Sequence, residues 1–159
     1  MAIWVDADAC PVPVRDILCR AASRWRVETT FIANHPIALP PSPYIRRRQV
    51  AQGFDVADNE IIGEIHPGDL VITQDIPLAA EAIARGADAF NPRGQAFTRD
   101  NIRQRLAMRN FLEELRNAGQ VTGGPPPFGQ ADRKTFADQL DRWLQRHHER
   151  PQPSDQGRE

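Results

Sequence analysis

The sequence predicts an α/β protein of three layers, α/β/α, with a central, mostly parallel sheet and additional helices toward the carboxyl terminus. Three observations predict it. Short β-branched, apolar runs alternate with stretches of helical periodicity from Ile3 to Phe90. The strongest run, Leu70-Val71-Ile72, is continuous rather than alternating, the pattern of a strand covered on both faces. The 159 residues suit one domain with a substantial core, expected to span 1–149 with a disordered polar tail at 150–159.

The elements follow in order. Ile3 to Val5 reads as a buried strand ended by Asp6. Pro11 and Pro13 mark a helix entry, and Val14, Ile17, Leu18, Ala21, Ala22 and Trp25 recur at helical spacing. Val27 to Ala33 is β-branched and reads as a second strand, and the proline-dense stretch from Pro36 to Pro43 as a loop. Ile45 to Val50 is a third strand despite its three arginines. Asp58 is expected to open a short helix carrying Ile61, Ile62 and Ile65. Pro67-Gly68 is a turn, Asp69 to Thr73 a strand, and Pro77 lies in the first turn of a helix stopping at Gly86. Ala87 to Phe90 is expected to be the last strand.

The remainder reads as helical. Thr98 is the expected N-cap of a helix reaching about Asn117. Met108, Phe111, Leu112 and Leu115 form one apolar stripe on it, while Ile102 and Leu106 fall on another face. A Gly-Gly-Pro-Pro-Pro loop, Gly123 to Pro127, precedes a final helix with Phe136, Leu140, Trp143 and Leu144 on a docking face.

Bulk composition narrows the classes. A formal net charge of −1 argues against a molecule that is basic all over, so any phosphate-binding surface is local. The opening Met-Ala-Ile-Trp-Val-Asp reads as strand rather than signal peptide, no stretch is long enough to span a bilayer, and the expected compartment is the reducing cytoplasm. The two cysteines, Cys10 and Cys19, build neither a disulfide framework nor a zinc quartet.

The acidic residues carry the functional argument. In an open parallel sheet the carboxyl ends of the strands form the ligand-binding edge. Asp6 and Asp8 follow the first strand, Asp75 follows the strongest strand, and Asp58, with Asp55 before it, begins the helix after the third. Carboxylates gathered there repel one another, and a hard divalent cation, Mg²⁺ or Mn²⁺, as one ion or two, resolves the conflict. Such a metal polarises a phosphoryl oxygen and acidifies a bound water. The plainer readings are that Asp58 and Asp75 cap helices, each worth about 1 kcal/mol, and that Asp8 and Asp69 are turn residues. Asp6, directly after a buried strand, needs a partner in any reading.

Several segments resemble the bacterial YaiI/YqxD family. They are Asp6-Ala7-Asp8-Ala9-Cys10-Pro11, Gly53-Phe54-Asp55-Val56-Ala57-Asp58-Asn59, the run from Asp69 to Ala80, Asn91-Pro92-Arg93-Gly94, and Thr122-Gly123-Gly124-Pro125 with Asp132-Arg133 and Phe136. The resemblance runs from about Ala2 to Trp143 and implies a PIN-like α/β/α domain. By analogy with that wider group, it implies a metal-dependent nuclease acting on RNA or DNA. Asp6, Asp58 and Asp75 would be its metal ligands and catalytic acids, with Asp8 and Asp55 as secondary ligands. The Pro126-Pro127-Phe128 stretch departs from the family pattern.

A nuclease also needs positive charge beside its metal. Arg93, after the last expected strand, and the run Arg46, Arg47 and Arg48 are candidates for phosphate contact, with Thr73 and Asn59 as polar helpers and Gln74 beside Thr73. The arginines from Arg99 to Arg116 are equally readable as a solvated helix face, and Arg116 in particular reads that way. Cys10 reads as structural, because no histidine is near it in sequence to serve as a base. His35 and His66 precede prolines in loops and have no metal-ligand spacing. The expected partner is nucleic acid, RNA first; a protein partner and self-association are left open. Two other readings compete. One is a non-catalytic metal- and nucleotide- or RNA-binding module. The other is a phosphatase using Asp6 and Asp8, disfavoured because the only lysine is Lys134, on the final helix.

Overall fold

The computed structural model describes residues 1–52, 56–119 and 126–148. The chain runs β1 (Ala2–Asp6), a 3-10 turn (Ala7–Ala9), α1 (Val12–Trp25), β2 (Glu28–Ala33), β3 (Ile45–Gln49), α2 (Val56–Glu64), β4 (Leu70–Ile72), α3 (Ile76–Ala84), β5 (Asp88–Phe90), β6 (Ala96–Phe97), α4 (Ile102–Asn117) and α5 (Gln130–His148). The six strands lie in the order β3-β2-β1-β4-β5-β6. All neighbours are parallel except β5 and β6, which pair antiparallel. The chain winds outward from β1 to β3, then returns to lay β4 against the other side of β1. The reversal opens a crevice between the carboxyl ends of β1 and β4.

Side chains alternate across the strands and divide the core in two. Ile3, Val5, Phe31, Leu70, Ile72 and Phe90 face α1 and α5, meeting Val14, Leu18, Phe136, Leu140, Trp143 and Leu144. Trp4, Ile32, Val71 and Ala89 face the other way, onto Ile61 of α2 and Leu78, Ala79 and Ala82 of α3. The three-layer expectation therefore holds, and the docking face expected of the last helix is fully used.

The amino edge of the sheet is tied by Asp69. Its carboxylate, 3% exposed, accepts the Ala2 amide (3.0 Å), the Trp4 indole N–H (3.0 Å) and the His66 amide (2.9 Å). Asp69 is thus a buried cross-strand clamp as well as a turn residue. On the far side, the Trp143 indole donates to Asp88 at 2.9 Å, and the Phe90 and Phe136 rings meet edge-on at 5.8 Å. Gly94 lets the loop after β5 press against α5. It sits at φ +84°, and a Cβ there would come within 2.7 Å of the Thr135 backbone.

Several boundaries differ from expectation. β5 is not the last strand: β6 adds two residues, too short a run to announce itself. α2 begins at Val56, so Asp58 lies inside its first turn instead of opening it. α4 begins at Ile102, because Thr98 and Asn101 bond each other reciprocally in a turn before it, through Thr98 N–H to Asn101 Oδ1 and Asn101 N–H to Thr98 Oγ1. The expected stripe of α4 faces solvent, with Met108 and Phe111 each 54% exposed and Leu112 37%. The helix docks instead through Ile102 and Leu106, the two residues off that stripe. The tail at 150–159 and residues 123–125 of the Gly-Pro loop lie outside the described residues. Among the described residues no helix is long and apolar enough to cross a membrane.

Candidate functional site

Asp6 is the last residue of β1, beside Ile32 of β2, and it stands at the crevice where the strand order reverses. Across that crevice, directly after β4, lies Thr73, 1% exposed. The Thr73 hydroxyl donates to Asp6 Oδ2 at 2.9 Å and accepts the Asp75 amide at 2.9 Å. Asp75 in turn caps α3, its Oδ1 accepting the Leu78 amide at 2.9 Å. The local sequence explains this compact turn. Ile72 completes the buried strand, Thr73 is held in the interior, and Asp75-Ile76-Pro77 is a cap followed by a helix-starting proline.

Burial pushes the Asp6 carboxyl above its ordinary 3.8, and the charges of Asp75 and Asp8 push it the same way. The Thr73 hydrogen bond opposes them. Asp8, on the 3-10 turn, reaches over to the end of β2. It accepts the Asn34 amide on both oxygens (2.9 and 3.2 Å), and its Oδ1 lies 2.7 Å from His35 Nδ1. Gln74 closes the other flank, its side-chain N–H donating to the Ala9 carbonyl at 3.0 Å.

Of the expected ligands, Asp6, Asp8 and Asp75 converge at this edge. Asp58 sits half-buried in the first turn of α2, which the crossover from β3 to β4 starts on the same side of the sheet, and Asn59 beside it is exposed. Asp55 lies outside the described residues. Among the described residues, no group of three or more His, Cys, Asp or Glu side chains is gathered to hold a metal ion. The reason is visible at two of the acids: Asp8 is turned toward the end of β2, and Asp75 is engaged as a cap.

The basic candidates are committed within the chain. Arg46 pairs with Glu28 at 3.2 Å, and Arg47 donates to the Ile37 carbonyl at 2.9 Å. Arg48 bonds Glu60 at 2.8 Å, with its guanidinium 5.9 Å from the Trp4 ring centroid. Arg93 bonds Asp132 at 2.7 Å and the Pro126 carbonyl, with Phe128 under its guanidinium, and so fastens α5 to the loop after β5. On α4, Arg109 pairs with Glu113 at 3.3 Å and Arg105 lies over Phe97 at 5.2 Å, while Arg116 is exposed.

Two residues near the acids carried no sequence signal. His35 has no metal-ligand spacing in the sequence, and the residue it meets, Asp8, is distant along the chain. Arg15, in the first turns of α1, has its Nε buried without a hydrogen-bond partner, and its charge and that of Asp6 both act on the Cys10 thiol. Cys10 itself is inert: burial pushes its thiol up to about 12, so at neutral pH it carries no nucleophilic thiolate. Cys19, likewise free and buried, is pushed up to about 11 by the same cause.

Comparison with known proteins gives a consistent picture. A family model described as "Uncharacterized BCR, YaiI/YqxD family" matches residues 4–146. The UPF0178 protein of Marinobacter nauticus is 79% identical over 147 residues, covering 92% of this chain and 98% of that protein. Those of Aeromonas salmonicida and Dechloromonas aromatica are 60% and 59% identical over 144 residues, each covering 91% of this chain and 96% of the relative. No solved structure matches the chain.

Proposed function

The chain belongs to the YaiI/YqxD family, and we propose that it is a divalent-metal-dependent phosphodiesterase acting on nucleic acid, RNA first, at the crevice between β1 and β4. One observation carries the reading. Asp6 is half-buried at the switch point of the sheet with its carboxyl pushed upward by loss of solvent and by two neighbouring acids, and a single hydroxyl opposes that push. Such an acid is costly to keep ionised without a cation, and perturbed acids of this kind cluster at functional sites.

The Asp6 and Asp75 carboxylates are oxygen donors of the kind a hard cation takes, and Asp58 starts from the same side of the sheet; a cation would have to draw them together, because among the described residues they are not gathered around one point. Asp6 would be the central ligand, with Asp75 and Asp58 completing the set. When bound, Mg²⁺ or Mn²⁺ would supply Lewis-acid polarisation of a phosphoryl oxygen. The chain's own residues do the rest. Thr73 orients Asp6 through its hydroxyl, and the cap bond to Leu78 fixes Asp75. The resemblance to PIN-like domains agrees with this reading as analogy.

The test is cleavage of labelled single-stranded RNA, single-stranded DNA and duplexes in Mn²⁺, Mg²⁺ or EDTA, with an Asp6→Asn/Asp75→Asn protein prepared identically. Metal-dependent cleavage lost in the variant is the expected result; equal cleavage by both proteins, or none by either, rejects the reading. The ungathered carboxylates and the intramolecular pairing of Arg46, Arg47, Arg48 and Arg93 weigh against a preformed catalytic centre, and the second reading is a non-catalytic metal- and nucleotide- or RNA-binding module. It predicts metal-dependent RNA binding without cleavage.

A further inference from the structure

Helix α4 docks by one end only. Ile102 and Leu106 hold its first turns to the body, and from Ala107 to Asn117 no residue is buried. That second half carries the apolar stripe Met108, Phe111, Leu112 and Leu115. At about 100° per residue the stripe lies roughly 150° around the helix from the docked pair, so it points away from the sheet. Among the described residues five large apolar side chains are exposed, and three of them are Met108, Phe111 and Leu112. Single exposed apolar residues need no explanation, but a cluster on two turns of one helix forms a patch. A helical stretch this short is marginal in water without tertiary packing of its apolar face.

We infer that the protein self-associates through α4, the helices of two copies pairing antiparallel about a two-fold axis between Phe111 and Leu112. Spacing and charge both name a second copy as the cover. The stripe is symmetric about that point, with Met108 and Leu115 at equal distances on either side. The axis therefore sets Leu112 of one copy against Phe111 of the other, and Met108 against Leu115, the self-complementarity that an isologous contact requires. The half of α4 before Asn110 carries Arg103, Arg105 and Arg109 and no acid, while the half after it carries Glu113 and Glu114 with one arginine, Arg116. Laid antiparallel, each basic half runs along the other copy's acidic half and the helix dipoles oppose; laid parallel, the basic halves adjoin. Arg103 and Glu114 fall on the same flank of the stripe, and the two-fold brings like flanks together. On the other flank Arg105 is folded over Phe97 and Arg109 pairs with Glu113 at 3.3 Å, which mutes the like charges there. The patch is small against the roughly 800 Å² that each partner gives to a standard interface, so the dimer is weak, on the order of micromolar. The inference is independent of the reaction at Asp6.

The experiment is sedimentation equilibrium of the full chain from about 1 µM to about 500 µM, with Met108→Ser/Phe111→Ser and Glu113→Arg/Glu114→Arg proteins beside the wild type. The wild type shows a reversible monomer–dimer equilibrium. The serine variant weakens it by at least about tenfold. The arginine variant, which leaves the stripe intact but makes both halves basic, weakens it too; in a parallel pair it would not. All the changed positions face water, so at the lowest concentration both variants keep the wild-type circular dichroism and thermal midpoint. Orientation is read by cross-linking under mild oxidation. Leu112→Cys sits beside the axis and links to its own copy. Met108→Cys does not, because its two copies lie about 10 Å apart along the helices, but mixed with Leu115→Cys it does. Cys10 and Cys19 are buried, with thiols pushed up to about 12 and about 11, and do not compete. A wild type that stays monomeric throughout overturns the inference, whether the stripe is then covered by another segment of the chain or by a different protein. So does a dimer that the serine variant forms equally well, or a Met108→Cys protein that links to itself as readily as Leu112→Cys.

Discussion

Two acids stand at opposite edges of the same pair of strands, and the protein treats them differently. Asp69, at the amino edge, is buried among three N–H donors that cross from β1 and the preceding turn. Asp6, at the carboxyl edge, receives one hydroxyl and faces two other carboxylates. An acid kept for architecture is surrounded by donors until its charge is satisfied. Asp6 is left short of such donors, and that deficit is what the proposed cation would fill.

The comparison breaks most severely at Asp69. Asp69→Ala strands the Trp4 indole and two backbone amides, and urea denaturation is expected to register a loss of about 3 kcal/mol; a loss under about 1 kcal/mol would remove the clamp from the account. Next comes Gly94, which tests whether the carboxyl side has a rigid joint of its own. Gly94→Ala forces a Cβ into the Thr135 backbone at a positive φ and is expected to cost about 2 kcal/mol, read as a lowered thermal midpoint.

Asp6→Asn is expected to go the other way, stabilising the protein by up to about 1 kcal/mol. The sign follows from the raised carboxyl. Below about pH 3.8 the acid is protonated in both states. As pH climbs toward the higher folded value, the unfolded chain releases its proton first, so the folded wild type loses stability. The advantage of Asp6→Asn should therefore widen across that window and vanish in acid. An advantage independent of pH would mean that the repulsion at the edge is not what sets it. The smallest effect is expected on α4. Met108→Ser and Phe111→Ser should each move stability by less than about 0.5 kcal/mol, because both side chains face water; a large loss would place a packing partner there.

The sheet and its two-sided core were readable in the sequence because continuous apolar runs and helical spacing are local signals. α5 followed the same rule: Phe136, Leu140, Trp143 and Leu144 are all buried as their spacing implies. α4 shows where such a signal stops. Periodicity reports that a stripe exists, and says nothing about whether the body of the protein meets it. The placement of Asp6, Asp8 and Asp75 at one edge of the sheet was likewise legible from strand ends, but not that their side chains would stay ungathered among the described residues. The pairing of Asp8 with His35, and of Arg48 with Glu60, was not, since each joins residues brought together only by the fold. Arg93 was expected at the edge on position, but its guanidinium is spent on Asp132 and Pro126, which no local pattern announces.

The placement of α5 also bears on how the molecule is made. It is the last described helix in the chain, yet it supplies Phe136, Leu140, Trp143 and Leu144 to the face of the sheet that begins with Ile3. During synthesis every described strand leaves the ribosome before α5, which covers that face together with α1. The part of that face which α1 does not cover therefore stays open until α5 has been made, and the nascent chain spends that interval with apolar surface exposed to chaperones or to other nascent chains.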